Sequence, residues 1–395
     1  MNDHAMNLQA CIDDLGTLLA FDTTSHLSNR PLIDWVANRL EGQGYRVMVQ
    51  QAPDEDKANL FASIGPEDQG GLMLSAHSDV VPVAGQNWQS DPFVLREADG
   101  RLYGRGSADM KGFIACMLQA APHFAASALK APVHLALSYN EETNMGGMKQ
   151  LAAALAQTAH PPRACVIGEP TSMQVVVANK GAAIYRFKVR GFEVHSSLRD
   201  QGVSAVEAAA QIIVRSQMIQ DRMRQDLRHD GFDFPYSSIH VGRIAGGTAH
   251  NITAKDCEFM LEIRALPGRA AAPFIAELKL WCEQELLPAM RSIASVSDVQ
   301  IEEITDSPSL DERGNNRLAR AMMPLCACHA TGRVSFGTEG GILQDAGIPT
   351  IICGPGQISV AHQADEFVEI SQLKACLHYL GQLRGQLERD PSCFF

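Results

Sequence analysis

Residues 71–81 read GLMLSAHSDVV, a short apolar run that is followed by a histidine and an aspartate with one residue between them. The run has the length and composition of a buried strand, so His77 and Asp79 come at its carboxyl end. Residues 104–112, GRGSADMKG, place one acid, Asp109, in a glycine-rich loop before an apolar helix. Two interpretations compete for these polar residues: they are solvated turn positions, or they are ligands of a metal site.

Outward from this strand, the first half of the chain alternates between helical and strand periodicities. Apolar runs such as PVHLALSY and RACVIG predict buried strands, and DMKGFIACMLQAA and GMKQLAAALAQ predict helices between them. This alternation predicts an α/β fold, with a mostly parallel sheet flanked by helices on both faces.

The rhythm changes after about residue 180. Residues 181–306 show the order β-α-β-β-α-β, which is that of a ferredoxin-like domain. From about residue 310 the α/β alternation returns. We therefore predict a catalytic domain formed by residues 1–180 and 307–395, into which residues 181–306 are inserted as a second domain.

Length and charge limit the classes of function. A chain of 395 residues exceeds one ordinary core, so two domains are expected. The 33 Lys and Arg residues against 45 Asp and Glu residues give a formal charge of −12. An acidic protein of this kind is not expected to bind nucleic acid or an anionic membrane as its main partner. It is compatible with a site for cations.

Targeting and cysteine signals favour the cytoplasm. The N-terminal stretch MNDHAMNLQACIDDL is acidic and lacks the apolar region of a signal peptide. No run approaches the ~18 apolar residues of a membrane span. The ten cysteines are scattered without a C-x-x-C motif, which predicts reduced thiols in a cytoplasmic protein. The pair Cys326 and Cys328 lacks a second pair with which to bind a metal.

Histidines and acids recur after the other predicted strands. In an open α/β sheet, ligands bind outside the carboxyl ends of the strands. Two imidazoles and several carboxylates form a mixed N/O set that suits zinc, and they exceed what one tetrahedral ion needs. We therefore predict two metals that share one carboxylate. The candidates at or after the predicted strand ends are His77, Asp79, Asp109, Glu141, Glu142, Glu169 and His362.

Some roles within this set follow from chemistry. Asp79 is placed to accept the second ring N–H of His77 and so to fix its tautomer. Glu141 and Glu142 are adjacent, and two buried neighbouring carboxylates repel each other. One of them on a metal and the other free as a general base is a sensible division.

The motifs together resemble a known family. SAHSDVVP, WQSDPF, GRLYGRGSADMKG, NEE, IGEPT and AHQADEF resemble the co-catalytic zinc amidohydrolases that include acetylornithine deacetylase, succinyl-diaminopimelate desuccinylase and carboxypeptidase G. The resemblance covers nearly the whole chain in the same order. It implies a zinc-peptidase-like catalytic domain, an inserted lid domain through which two copies form a homodimer, and hydrolysis of an N-acyl amino acid.

The resemblance also implies ligands for two zinc ions. His77 and Glu169 would hold one ion, and Glu142 and His362 the other. Asp109 would bridge the two. Cobalt and manganese accept the same ligands, so they are possible substitutes for zinc.

Glu141 would be the general base and acid by the same resemblance, and the peptide bond between Asp109 and Met110 would be cis. Both assignments come from the family. Members activate a bridging water with this base, attack the amide carbonyl and then protonate the leaving amine.

Three lid residues match family motifs. GFEVHSS implies that His195 donates to the oxyanion in the site of the partner subunit. GGTAHNIT gives Asn251, and EIRALPG gives Arg264, whose guanidinium suits a substrate carboxylate. The alternatives are a turn cap for His195 and a surface ion pair of Arg264 with Glu262 or Glu258.

Within the family, the motifs are most similar to acetylornithine deacetylases. FGTEGG gives Gly337, Thr338 and Glu339 on the substrate side, with Glu339 as a candidate partner for the distal ammonium of ornithine. His250 and Ser204 depart from that subgroup. The predicted reaction is the conversion of Nα-acetyl-L-ornithine to L-ornithine and acetate in arginine biosynthesis. The alternatives are a related N-acyl-amino-acid amidohydrolase or dipeptidase, and more distantly a non-catalytic binding protein.

Overall fold

The computed structural model describes residues 6–395, so the first five residues of the predicted catalytic domain and N-terminal stretch lie outside the described residues. The chain forms two compact units. The first holds the chain up to Ala178 together with Leu310–Arg333 and Thr338–Phe395. The second holds Asn179–Ser309 and Val334–Gly337. Residues 179–180, residues 307–309 and the segment Val334–Gly337 fall in the second unit, whereas the predicted boundaries assign them to the catalytic domain.

The strands and helices of these units follow in chain order. The strands are β1 (Arg46–Gln51), β2 (Ala58–Ile64), β3 (Leu72–His77), β4 (Arg96–Ala98), β5 (Arg101–Tyr103), β6 (Val133–Ser138), β7 (Ala164–Pro170), β8 (Val176–Asn179), β9 (Gly181–Arg190), β10 (Ser238–Gly246), β11 (Asp256–Ala265), β12 (Asp298–Ser307), β13 (Gly332–Val334), β14 (Thr350–Gly354) and β15 (Phe367–Glu369). The α-helices are α1 (Leu8–Ala20), α2 (Arg30–Glu41), α3 (Gly112–Ala125), α4 (Gly146–Leu155), α5 (Ala205–Met223), α6 (Ala272–Trp281), α7 (Leu287–Ile293), α8 (Asn316–Met322), α9 (Gly340–Asp345) and α10 (Ile370–Arg389).

The main sheet has the strand order β1-β2-β6-β3-β7-β14-β8-β13. Its four central strands, β6, β3, β7 and β14, run parallel to one another. All their residues are buried, as expected for parallel strands that are covered by helices on both faces. The predicted α/β sheet is confirmed, with antiparallel pairs β1–β2, β2–β6 and β14–β8 added outside the parallel centre.

The second unit contains a four-stranded antiparallel sheet in the order β10-β11-β9-β12. Buried and half-exposed residues alternate along β11, so one face packs on a core that includes α5. Phe187 and Phe259 stack in this core with ring centroids 4.6 Å apart. The predicted β-α-β-β-α-β order is confirmed, with the second helix formed by α6 and α7.

No helix within residues 6–395 is both long enough and apolar enough to cross a membrane.

Candidate active site and metal centre

The carboxyl ends of the four parallel strands bring four predicted ligands to one edge of the main sheet. His77 is the last residue of β3, and Glu169 lies next to the end of β7. Glu142 and His362 lie in the segments that follow β6 and β14. The residues of these strands are buried, so each ligand side chain emerges from a fixed part of the backbone.

Asp109 lies between these ligands, in the segment Ser107–Lys111 immediately before α3. Its Oδ1 is 2.9 Å from Nε2 of His77, and its Oδ2 is 3.2 Å from Nε2 of His362. Each carboxylate oxygen of Asp109 therefore faces a different histidine, as a carboxylate shared by two metals would. The peptide bond between Asp109 and Met110 is cis, as the family resemblance implies.

The ligand atoms form two groups that share Asp109. The first group is His77, Asp109 and Glu169, and the second is Asp109, Glu142 and His362. Within each group the ligand atoms lie within 4.8 Å of one another. His77 Nε2 is 3.8 Å from Glu169 Oε1, and His362 Nε2 is 3.0 Å from Glu142 Oε1. The structure thus brings together the five predicted ligands in the predicted partition.

The electrostatics of the five residues fit divalent cations. Burial and the charge of Asp109 raise the pKa of Glu142 to about 7. Hydrogen bonds to Asp109 and Glu142 raise the pKa of His362 to about 10. Burial opposes protonation of His77, but its hydrogen bond to Asp109 and the charge of Glu169 raise its pKa well above the usual value. The cluster retains protons because its negative charges are buried together, and cations would satisfy the same charges.

His77 departs from the prediction in its second hydrogen bond. Its Nδ1–H donates to the backbone carbonyl of Asp79 at 2.9 Å, whereas Oδ1 of the Asp79 carboxylate is 3.8 Å away. The tautomer is therefore fixed by the main chain, and Nε2 is left to face the metal positions. The two-residue spacing that suggested the carboxylate also puts the carbonyl within reach.

The Asp79 carboxylate instead supports the turn that carries the two adjacent glutamates. Its Oδ1 accepts the backbone N–H of Glu141 at 3.1 Å, and its Oδ2 accepts that of Glu142 at 3.3 Å. The hydroxyl of Ser25 donates to the same Oδ2 at 2.7 Å. Asp79 thus orients Glu141 and Glu142 through their backbone.

Glu141 lies beside both ligand groups and belongs to neither. Burial, reinforced by the charges of Glu169 and Glu142, raises its pKa well above the usual value, although the charge of His77 acts in the opposite direction. A carboxyl group in this position is suited to exchange a proton with a reacting water.

Glu366 is a supporting residue that the sequence patterns did not single out, although it belongs to the quoted motif AHQADEF. Its Oε1 accepts the backbone N–H groups of Ala108 and Asp109 at 2.9 and 3.1 Å. Its Oε2 pairs with Arg105 at 2.6 Å, and both side chains are 1% exposed. A charged residue placed four positions after His362 was the available signal.

The predicted lid residues His195, Asn251 and Arg264 all lie in the second unit. His195 caps the helical turn Ser196–Gln201, and its Nδ1 accepts the backbone N–H of Ser197 at 3.2 Å. The alternative role of His195 as a turn cap is therefore present. In the neutral ring, the accepting Nδ1 leaves the proton on Nε2, which can still donate. The segment is joined to the Asn251 loop, because the carbonyl of Asn251 accepts the N–H of Ser196 at 2.9 Å.

Nη2 of Arg264 lies 2.6 Å from Oε1 of Glu262, so the alternative role in an ion pair is present. Both side chains keep about a third of their surface exposed, 33% and 28%. Nη1 of Arg264 would lie 3.4 Å from a Cβ at Gly337, so the guanidinium borders this glycine. One edge of the guanidinium can donate to Glu262 while another donates to a second carboxylate.

Thr338 and Glu339 belong to the first unit and are buried, with exposed fractions of 0% and 1%. Burial raises the pKa of Glu339 to about 7, and the charges of His77 and Asp79 act on it. The candidate ligands His77 and Asp109 are similarly buried, at 1% and 5%, so the contact of Glu339 with a substrate ammonium stays a prediction.

Comparison with known proteins gives a consistent answer. The model of peptidase family M20/M25/M40 matches residues 73–384. An acetylornithine deacetylase of Myxococcus xanthus is 36% identical over 386 residues, which cover 95% of this chain and 96% of that protein. An acetylornithine deacetylase of Proteus mirabilis is 33% identical over 369 residues, which cover 93% and 92% of the two chains.

Solved structures share the fold at low sequence identity. The M20 family metallo-carboxypeptidase Sso-CP2 of Sulfolobus solfataricus superposes with a TM-score of 0.76 and 16% identity, covering 95% of this chain and 98% of that one. The YXEP protein of Bacillus subtilis, described as a dinuclear metal-binding peptidase of family M20, superposes with a TM-score of 0.62 and 15% identity, covering 95% and 97%.

Proposed function

The chain belongs to peptidase family M20/M25/M40 and is a metal-dependent amidohydrolase, and from this premise we propose that it hydrolyses Nα-acetyl-L-ornithine to L-ornithine and acetate. The observation that carries the proposal is the pair of ligand groups that share Asp109, with Glu141 beside them. The two acetylornithine deacetylases, similar over more than nine tenths of their lengths, favour the acetyl amide and the amino acid. The reaction would serve arginine biosynthesis in the cytoplasm.

Two zinc ions are the proposed cofactors, with cobalt or manganese as possible substitutes. His77, Asp109 and Glu169 would hold one ion, and Asp109, Glu142 and His362 the other. When bound, such ions polarise the scissile carbonyl and lower the pKa of the attacking water.

Glu141 performs the proton transfers in the proposed reaction. Its carboxylate takes a proton from the water whose oxygen attacks the acetyl carbonyl carbon. It then delivers a proton to the amine nitrogen as the C–N bond breaks. One water is consumed, and acetate and the free amino group are released.

The second-unit residues are proposed to act on the substrate. The Nε2–H of His195 would donate to the developing oxyanion in the site of a partner copy. Arg264, which borders Gly337, would bind the substrate carboxylate. Asn251 would contact the substrate from the loop that is joined to the His195 segment. Thr338 and Glu339, which follow Gly337 in the chain, are also proposed on the substrate side, with Glu339 as the partner of the ornithine ammonium.

A homodimer is part of this proposal. β10 is an edge strand of the second unit's sheet and is largely exposed, with Ile244 48% exposed. On α5 of the same unit, Val214 and Met218 are 56% and 55% exposed and lie one helical turn apart. Light scattering of the purified chain should give twice the monomer mass of 42.8 kDa. A monomer at all concentrations would remove the partner-site role of His195.

Initial rates with zinc-loaded protein test the substrate. The panel contains Nα-acetyl-L-ornithine, other N-acetyl, N-formyl and N-succinyl amino acids, and dipeptides. Acetylornithine is expected to lead in kcat/KM by a factor of about ten or more, which corresponds to about 1.4 kcal/mol. A different leading substrate would keep the amide hydrolysis and contradict the ornithine assignment. Glu141→Gln protein serves as the control for contaminating hydrolases.

A further inference from the structure

Asn140 precedes the two glutamates and has an unusual backbone. Its φ is 58°, in the left-handed region, and its side chain is 3% exposed. Its carbonyl accepts the N–H groups of Asn144 and Met145 at 3.1 and 2.7 Å. The conformation of Asn140 therefore sets the direction in which Glu141 and Glu142 leave the end of β6, and something must hold it there.

Lys57, the residue immediately before β2, contacts the Asn140 side chain. Its side chain is buried, with 5% of the residue exposed. Its Nζ donates to Oδ1 of Asn140 at 2.5 Å and to the backbone carbonyl of Ser25 at 2.6 Å. Its third N–H is directed at Glu55, whose Oε2 lies 2.6 Å from Nζ. All three donors of the ammonium group are thereby used.

The two buried acceptors of Lys57 are the Ser25 carbonyl and the Asn140 side chain, and both belong to the structure that holds the turn of Glu141 and Glu142. The Ser25 hydroxyl donates to the Asp79 carboxylate, which accepts the N–H groups of Glu141 and Glu142. Asn140 directly precedes Glu141 in the chain and is therefore part of the same turn. The ammonium group of Lys57 thus links the Ser25 segment, which contacts Asp79, to Asn140, which the two glutamates follow.

From these contacts we propose that Lys57 is a positioning residue for the general base, and that it acts through Asn140 and the Ser25 segment. The role rests on the proposed function in one respect, that Glu141 is the base. Lys57 touches neither substrate nor metal ligands, so its removal is expected to lower the rate of the chemical step and to leave substrate binding nearly unchanged.

An ion pair with Glu55 alone does not account for Lys57. The Glu55 side chain is 44% exposed, and pairs with such exposed partners contribute about 0–1 kcal/mol. The carbonyl of Ser25 and the amide oxygen of Asn140 are buried, and removing the donor leaves both without this partner. Glu55 also accepts from Nδ2 of Asn140, at 3.0 and 3.2 Å, so it belongs to the same network. Glu55→Gln is expected to lower kcat less than Lys57→Met does, because the contacts of Lys57 with Ser25 and Asn140 remain.

The kinetic test compares Lys57→Met, Asn140→Gly and the double variant. Glycine adopts a φ of 58° without strain, so Asn140→Gly removes the side-chain contacts with Lys57 and Glu55 and keeps the backbone conformation accessible. Each single variant is expected to lower kcat by about 10- to 100-fold with KM nearly constant, as for outer supports of a metal site. The double variant should lose no more than the worse single one. Losses that multiply would show that Lys57 does not act through Asn140.

A matched variant separates positioning from loss of stability. Ser63→Ala removes a buried hydrogen bond, at 2.8 Å to His134, from β2, the strand that follows Lys57. It should lower Tm while kcat stays within about twofold, because it does not contact the glutamate turn. If Lys57→Met and Ser63→Ala lower kcat equally at equal loss of Tm, Lys57 is structural only.

Two measurements need no substrate and decide the case if no member of the substrate panel is cleaved. In Lys57→Met protein, hydrogen exchange of the 140–145 backbone should accelerate relative to Ser63→Ala protein. Zinc affinity, measured by competition with a chelator, should fall by about tenfold because Glu142 leaves the same turn. Unchanged exchange and unchanged zinc affinity would overturn the inference, whatever the substrate of the enzyme is.

Discussion

Glu141 is the residue on which the proposed chemistry depends. Replacement by glutamine keeps the shape of the side chain and its backbone hydrogen bond to Asp79, but the amide cannot accept a proton from water. We expect kcat of Glu141→Gln protein to fall by about 100- to 10,000-fold, the range of general base catalysis. Zinc content should stay at two ions per chain by elemental analysis. A kcat within tenfold of the original, at full metal content, would contradict the role of Glu141.

Arg264 offers a second test at the scale of one residue. Lysine keeps the charge but loses the fork that binds a carboxylate with two hydrogen bonds. Arg264→Lys is expected to lower kcat/KM for acetylornithine by about 10- to 100-fold, as for a lost hydrogen bond to a charged group. The methyl ester of the substrate should show a much smaller change.

Glu262→Gln is the control for Arg264, because it removes the ion pair at 2.6 Å and leaves the guanidinium in place. Its kcat/KM is expected to be unchanged or higher. Equal losses for acid and ester substrates in Arg264→Lys protein would assign Arg264 to the structure of the second unit.

The candidate ligands could be predicted residue by residue, but their supports could not. The pattern of histidines and acids at or after strand ends gave seven candidates, and the family resemblance selected the five that the structure brings together around Asp109. The carbonyl of Asp79, which binds His77, is a group that every residue has, and no sequence pattern distinguishes it. Glu339 is predicted on the substrate side because FGTEGG resembles a substrate-side loop of the family. The sequence does not reveal that its carboxyl group turns inward.

At the scale of the elements, continuous apolar runs identified the buried parallel strands. The antiparallel strands at the borders of the main sheet were harder to place. β13 has only three residues, Gly332–Val334, and β8 has four, so neither is long enough to show a period. β2 and β6 pair in antiparallel fashion although both are apolar, because strand direction is decided by the connection and not by composition.

His134, a buried residue of β6 that pairs with Ser63 of β2, has an effect on stability that can be measured. His134 bonds to Ser63 and stacks on Phe61, and burial lowers its pKa to about 4. The folded form thus keeps His134 neutral, while the unfolded chain binds a proton near pH 6.5. The free energy of unfolding should therefore decrease as the pH falls from 6.5 to 4, by up to about 3 kcal/mol from this group, and its contribution should be complete above pH 6.5.

The measurement compares Tm at pH 7.5 and 4.5 in EDTA, so that metal release does not contribute. His134→Gln protein should lose less Tm between these pH values than the original protein does. His160→Gln, which alters an exposed histidine, should behave like the original. Equal pH dependence of the His134→Gln and His160→Gln proteins would show that His134 is not the group responsible.

At the scale of the whole molecule, all ligands of both metal groups belong to the first unit. Metal binding to the folded form should therefore stabilise that unit, by about 4 kcal/mol at a free zinc concentration 1,000 times Kd. Hydrogen exchange should slow in the main sheet and stay unchanged in β9–β12. Because the ligands must lose protons to bind metal, the stabilisation should weaken as the pH falls.

Glu169→Gln is the variant that makes this expectation specific. Burial and the charge of Asp109 raise the pKa of Glu169 well above the usual value, so the metal-free protein already disfavours its negative charge. A neutral amide at this position should leave the Tm of the metal-free protein nearly unchanged and should reduce the rise in Tm on addition of zinc. A large loss of Tm in the metal-free variant would mean that Glu169 has a structural role. A full zinc-dependent rise would mean that the first metal group does not include it.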